Sequence, residues 1–157
     1  MTPIRYVALP TDAVRNLQNG GMDANGMSPE MRLSDGQGNP CRHCLNEIAK
    51  DEEMLILAYR PFPALQPYAE LGPIFLHAAP CSRHPEAVAL PAMFRGYARM
   101  LVRGYGRDDR IRYGTGRVVD IGELDATCAT LLGDPEVAYL HLRSAANNCY
   151  QCRVERA

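Results

Sequence analysis

The sequence contains no tryptophan, and Lys50 is the only lysine among its 17 basic residues. No uninterrupted apolar run approaches the roughly 20 residues that a membrane-spanning helix needs, so we expect no membrane partner. The N-terminus also lacks a basic segment followed by an apolar one, and we therefore expect no signal peptide. These absences favour a cytoplasmic location.

An excess of charge of either sign is absent too, because 17 basic residues face 18 acidic ones. A net charge of −1 provides no general attraction to nucleic acid, which makes that partner unlikely and leaves an unknown small molecule or protein. The 157 residues are 46% hydrophobic and 22% charged, which is typical of a globular chain with one core. We therefore predict a single domain over residues 1–157.

Local patterns predict an α+β fold with a largely antiparallel β-sheet, one main helix and long loops. The main helix is expected over about 121–132, between an N-cap at Asp120 and a stop at Gly133. A short helix is expected over 12–17. A strand over 137–143 alternates polar and apolar residues, which indicates that only one of its faces is buried. Further strands are expected at 4–9, 54–59, 74–77, 97–105, 110–119 and 149–155.

The segment 19–40 is rich in glycine, asparagine and aspartate and contains several turn dipeptides. Loops of this length are usually functional or mobile. We predict a Gly/Asn-rich loop here, and mobility is the simpler interpretation of residues 19–30.

Two Cys/His groups enclose the central part of the chain. Cys41 and Cys44 have the Cys-x-x-Cys spacing that lets two thiolates bind one metal, and His77 and Cys81 follow after two apolar runs. If those runs pair as strands, the two groups meet at one end of a hairpin. This pattern predicts a zinc site formed by Cys41, Cys44, His77 and Cys81, with the metal in a structural role.

Two other interpretations use the same residues. The cysteines could be reduced structural thiols without a metal, since cytoplasmic thiols stay reduced. They could also serve an enzyme, either through an open metal position or through a cysteine nucleophile such as Cys81 beside His77 or His84, or Cys44 beside His43. His43 is in addition a substitute metal ligand.

The pattern of the three remaining cysteines predicts neither a metal site nor a disulfide. Cys149 and Cys152 fall on opposite faces of a predicted strand, which opposes a shared metal or a disulfide. We expect Cys149 in the core and Cys152 without a special role. Cys128 is expected to be a small buried residue of the main helix.

Arginines recur at every fourth position from 95 to 107, which places Arg99 and Arg103 on one strand face. These two side chains could bind an anionic ligand. The alternative is a solvated sheet face whose charge is neutralised by acids such as Asp120, Glu123 and Glu136.

If the zinc is structural, we expect it to support a pocket or interaction surface near Tyr59, Arg60, Tyr68 and the arginine-rich sheet.

A set of motifs extends from about residue 40 over most of the chain. It consists of Pro40-Cys-Arg-His-Cys-Leu45, Tyr59-Arg-Pro-Phe62, Pro67-Tyr-Ala-Glu-Leu-Gly-Pro-Ile-Phe-Leu-His-Ala78, Cys81, the segment from Arg103-Gly-Tyr105 to Gly114, and Asn148-Cys-Tyr150 with Arg153-Val-Glu-Arg156. These motifs resemble an uncharacterised bacterial family, the domain of unknown function numbered 1203. The resemblance implies that Cys41, Cys44, His77 and Cys81 form one shared pattern, and it implies no activity.

Overall fold

Eight strands form two antiparallel sheets in the computed structural model, which describes residues 1–157. Together with two α-helices they make an α+β fold with mostly sheet, as predicted. None of the helices is both long and apolar enough to cross a membrane. The elements are β1 (Ile4–Val7), α1 (Thr11–Gln18), β2 (Glu30–Leu33), β3 (Glu53–Tyr59), β4 (Gly72–His77), β5 (Arg99–Tyr105), β6 (Arg117–Asp120), α2 (Leu124–Leu132), β7 (Tyr139–Ser144) and β8 (Tyr150–Arg156), with short 3₁₀ turns at Ala92–Gly96 and Ile121–Glu123.

The larger sheet has the strand order β1-β8-β7-β5-β6, which puts β7 at its centre. Leu140 and Leu142 of β7 share the largest apolar cluster with Leu124 and Leu132 of α2. On the opposite face Tyr139 packs with Phe62, which lies in the connection between β3 and β4. The prediction of a half-buried strand over 137–143 is therefore wrong, because a helix covers one face and a loop covers the other.

The smaller sheet has the order β2-β3-β4, and its β3–β4 hairpin is the one that the two apolar runs predicted. β2 lies inside the segment 19–40, where a loop was expected. All four of its residues are exposed, and it pairs with β3 from Glu30 opposite Ile56 to Leu33 opposite Glu53. β2 is only four residues long, Glu-Met-Arg-Leu, so its polar–apolar alternation is too short to stand out among the turn residues of this segment, which explains why the sequence pattern missed it.

Other boundaries differ by a few residues. The main helix begins at Leu124, after a 3₁₀ turn over Ile121–Glu123. The strand expected over 110–119 is confined to Arg117–Asp120. Cys128 is fully buried, as expected, but the two C-terminal cysteines are reversed, because Cys152 is fully buried in the core whereas Cys149 is half-exposed.

The central strand yields a stability prediction. Leu142 is fully inaccessible against the helix-facing core, so Leu142→Ala should leave a cavity and lower the free energy of unfolding by about 2–5 kcal/mol. Chemical denaturation monitored by circular dichroism measures this change. Val118→Ala on β6, where the side chain is 50% exposed, is the control and should change it by less than about 0.5 kcal/mol. Equal losses in the two variants would contradict the assigned core.

Candidate metal centre

The segment that carries Cys41 and Cys44 is docked along β4 by its backbone. The Arg42 N–H donates to the Phe75 carbonyl at 3.1 Å, and Cys41 bridges Phe75 in a parallel arrangement. The Leu45 N–H closes the turn onto the Cys41 carbonyl at 3.0 Å, with Leu45 itself at a positive φ of 54°. This tight turn presents both thiols on the same side, next to the end of β4.

Helix α1 holds the other half of the cluster. His77 is the last residue of β4, and Cys81 follows in a loop without regular structure. The Gln18 side-chain amide donates to the carbonyls of His77 and Ala79 at 2.9 and 3.0 Å. Arg15 donates to the carbonyl of Cys81 at 2.8 Å. Three backbone carbonyls of the loop are thus fixed by two side chains of α1.

The four side chains predicted as ligands converge. One potential ligand atom from each of Cys41, Cys44, His77 and Cys81 lies within 4.8 Å of the other three, so the cluster could hold a metal ion. The two Sγ atoms of Cys41 and Cys81 are 3.9 Å apart, and Cys44 Sγ is 3.5 Å from His77 Nδ1. A tetrahedral zinc site has edges of about 3.8 Å between sulfurs and about 3.6 Å between sulfur and nitrogen, so both distances fit.

A second layer of polar groups orients these ligands. His77 turns Nδ1 toward the cluster, and its Nε2 lies 3.2 Å from a carboxylate oxygen of Glu52. A carboxylate behind a histidine in this way selects the tautomer that leaves the other nitrogen free to ligate. The His77 N–H points to Cys41 Sγ at 3.4 Å. These contacts are typical of the surroundings of metal ligands.

His43 lies beside the four-residue cluster rather than within it. The ring is fully buried, with Nδ1 at 3.1 Å from Cys81 Sγ and Nε2 at 3.0 Å from Thr11 Oγ1. Burial lowers the pKa of His43, which favours the neutral ring. Its position is that of a hydrogen-bond partner of Cys81 and of α1.

The thiols differ in their acidity. A hydrogen bond from Cys44 is the main reason that the pKa of Cys41 is lowered to about 4, and backbone N–H groups add to the effect. The same hydrogen bond raises the pKa of Cys44. Burial raises the pKa of the Cys81 thiol to about 11. The raised pKa disfavours the thiolate of Cys81, the form that attacks efficiently, and this argues against Cys81 as a nucleophile activated by His43.

The two arginines predicted to bind an anion both lie on β5, and each meets a carboxylate. Arg99 is 65% exposed and pairs with Asp120, whereas Arg103 is 17% exposed and pairs with Glu70. The pairing of Arg99 with Asp120 agrees with the alternative of a neutralised sheet face. Anion binding by Arg99 and Arg103 stays a prediction.

Sequence reasoning missed a second polar region, on the face of β7 that looks away from α2. His141 and Arg143 are 1% and 5% exposed there, beneath the connection between β3 and β4. The alternation of Tyr139, His141 and Arg143 was visible in the sequence. This alternation predicts a half-buried strand, because nothing in the local pattern shows that a distant loop covers the second face.

The comparison with protein families identifies the family of the chain. A family model described as a protein of unknown function (DUF1203) matches residues 38–156. This match covers most of the chain, and the protein belongs to that family. All four residues of the cluster lie inside the matched region. No curated protein and no solved structure matches the chain.

Thiol accessibility provides a test of the cluster's chemistry. Native alkylation with iodoacetamide, followed by mass spectrometry, should modify the half-exposed Cys149 first. The four cysteines at 41, 44, 128 and 152 should be protected, because each is at most 8% exposed. Cys81 should react more slowly than Cys149, since it is enclosed by His43 and Cys41. Faster reaction of Cys81 would instead support a cysteine nucleophile.

Proposed function

We propose that this protein is a zinc-binding module whose metal is structural and is held by Cys41, Cys44, His77 and Cys81. The observation that carries the proposal is the convergence of their four ligand atoms within 4.8 Å. Three thiolates and one imidazole are the donor set that zinc prefers, and four protein ligands complete a tetrahedron. Such a centre leaves no open position for water, which favours a structural over a catalytic role.

The zinc would fasten together three parts of the chain that are far apart in the sequence. It would link the turn containing Cys41 and Cys44, the end of the β3–β4 hairpin, and the loop that α1 holds through Arg15. A structural site of this kind does not exist in the unfolded chain, so its binding free energy contributes to folding. Arg15 also places a positive charge near a centre whose three thiolates outnumber the charge of Zn²⁺.

A catalytic cysteine has less support in the structure. The five main cavities of the molecule contain none of Cys41, Cys44 and Cys81 in their walls. An enzyme of this kind needs a substrate pocket next to the nucleophile, with a base and oxyanion donors around it. The position of the cluster therefore favours the structural metal.

Zinc content tests the proposal directly. Protein purified without an affinity metal column should contain about one zinc per chain by elemental analysis. Cys81→Ser should lose the metal, because serine is a poor ligand for zinc. Cys149→Ser is the matched control and should keep the full content, since Cys149 bonds only to the Asn147 carbonyl and lies outside the cluster.

Two results would contradict the proposal. One is metal-free protein in which all six thiols titrate and chelator leaves the unfolding midpoint unchanged. The other is equal zinc content in the Cys81→Ser and wild-type proteins. Cobalt substitution adds an independent readout, because tetrahedral coordination with three sulfurs produces characteristic visible absorption.

The contact between His77 and Glu52 leads to a second prediction. Glu52→Ala removes the carboxylate that lies 3.2 Å from His77 Nε2. Without it the imidazole loses its orientation and some basicity, so zinc affinity should fall about 10- to 100-fold. Competition with a chromophoric chelator measures the change. Glu53→Ala, one residue along the chain, is the control and should retain wild-type affinity, and an equal loss there would reject the role of Glu52.

A further inference from the structure

The guanidinium of Arg143 is buried without a full set of hydrogen bonds. The residue is 5% exposed, and its Nη1 donates to the Asn148 carbonyl at 3.2 Å. Its Nε and Nη2 atoms are buried and have no hydrogen-bond partner. Nε and Nη2 together form the side-on edge of an arginine, which binds a carboxylate through two parallel hydrogen bonds. The edge best suited to a planar anion is therefore the unsatisfied one.

The carboxylate of Glu70 lies next to this edge but is held by another residue. Its Oε1 accepts a hydrogen bond from Arg103, and the same oxygen is 3.4 Å from Arg143 Nη2, an ion-pair distance without a hydrogen bond. One carboxylate thus faces two guanidinium groups. One positive charge remains in a buried place, where an unpaired charge is costly.

The other charged groups nearby are engaged elsewhere. Glu155 pairs with Arg153 and Arg5. Asp109 accepts the hydroxyl hydrogen of Tyr139 at 2.7 Å. Burial lowers the pKa of His141, with the neighbouring arginines adding to the effect, so that ring is neutral. None of these groups supplies the missing partner of Arg143.

Arg143 lines a cavity of about 210 Å³. The cavity lies between the ends of β7 and β8 and the chain that connects β3 to β4. Its walls include Tyr59, Pro61 and Tyr150, with Glu70 near the fork of Arg143, and the two tyrosine rings are 5.5 Å apart between centroids. A volume below the roughly 300 Å³ of pockets for drug-sized ligands admits only a small molecule.

We propose that this cavity binds a small carboxylic acid anion, whose carboxylate takes the Nε and Nη2 edge of Arg143 in place of Glu70. Glu70 already brings a carboxylate oxygen to 3.4 Å from Nη2, so the same functional group lies at the rim of the site without completing the two parallel hydrogen bonds. Carboxylates and phosphates can both pair with this edge through two hydrogen bonds, and the Glu70 carboxylate at 3.4 Å from Nη2 favours the carboxylate here. The rings of Tyr59 and Tyr150 provide an apolar wall for the rest of the ligand.

Glu70 acts in this site as an internal competitor. It is 44% exposed and lies in the irregular chain just before β4, so it is less constrained than a residue within a strand. The apparent affinity for an added carboxylate is reduced by the fraction of molecules in which Glu70 stays beside Nη2 of Arg143 and obstructs the approach to the fork. Removing the charge of Glu70 should therefore strengthen binding, which is the opposite of what a purely structural ion pair would do.

The test uses full-length protein as purified and follows by ¹H–¹⁵N NMR the side-chain Nε–H signal of Arg143 and the backbone amide signals of Asn148 and Tyr150, which line the same cavity and remain readable when Arg143 is replaced. Acetate and succinate are titrated at constant ionic strength with chloride as the balancing anion, and inorganic phosphate is titrated separately. In the wild type, the Arg143 signal should shift in a saturable way with either carboxylate. Glu70→Gln should bind about tenfold tighter, and Arg143→Lys should weaken binding at least about tenfold.

Arg32→Gln is the matched control, because Arg32 lies on β2, is 68% exposed, pairs with Glu30 and does not line the cavity. It should bind acetate as the wild type does. The proposal is overturned if neither wild type nor Glu70→Gln responds to the carboxylates, or if Arg143→Lys and Arg32→Gln change binding equally. Tighter binding of phosphate than of either carboxylate would reject the ligand class.

If Arg143→Lys does not fold, the Glu70→Gln comparison decides alone, with circular dichroism as the check on its fold. Zinc content is measured in every sample. A negative carboxylate result at unchanged metal content therefore leaves the zinc proposal intact, and a metal-free sample that still binds acetate leaves this one intact.

Discussion

The docking of a cysteine-bearing turn on β4 is the contact on which the candidate metal centre depends. The backbone hydrogen bond from the Arg42 N–H to the Phe75 carbonyl holds the turn against β4, and this contact places the thiols of the turn beside His77. β3 and β4 supply the platform, because their pairing sets where β4 ends. Arg15 and Gln18 of α1 then fix the chain from His77 to Cys81 by donating hydrogen bonds to its backbone carbonyls. These carbonyls are present whatever side chains that part of the chain carries.

A second constraint comes from β7, which is covered on both faces. The face against α2 is filled with leucines, which need no partners. The other face carries His141 and Arg143, whose polar atoms are only partly satisfied. Native proteins rarely leave such groups unpaired, because each costs free energy comparable to a lost hydrogen bond or more. A binding role for this face would explain why His141 and Arg143 keep unpaired polar atoms at a cost in stability.

The local patterns predicted the α+β class, the β3–β4 hairpin and the meeting of Cys41, Cys44, His77 and Cys81. These features depend on apolar runs and on spacing, which are local properties of a sequence. The patterns failed where a distant segment decides the outcome. β2 forms by pairing with the edge of β3. The face of β7 that points away from α2 is buried because the chain around Phe62 packs across it. Likewise Cys152 lies within β8 and is buried, whereas Cys149 lies just before the strand, and which of the two cysteines enters the core depends on the packing of β8 against β1 and β7.

The two candidate sites are joined through one residue. Arg42 lies between the two cysteines of the turn, and its buried guanidinium donates to the carbonyl of Tyr150 at 2.8 Å. The ring of Tyr150 is a wall of the cavity that contains Arg143. Arg42 also donates to the Pro40 carbonyl at 2.7 Å, which ties the start of the turn to the start of β8. The geometry that brings Cys41 to His77 therefore also sets the backbone position of one wall of the cavity, so a metal that stiffens the turn stiffens that wall as well.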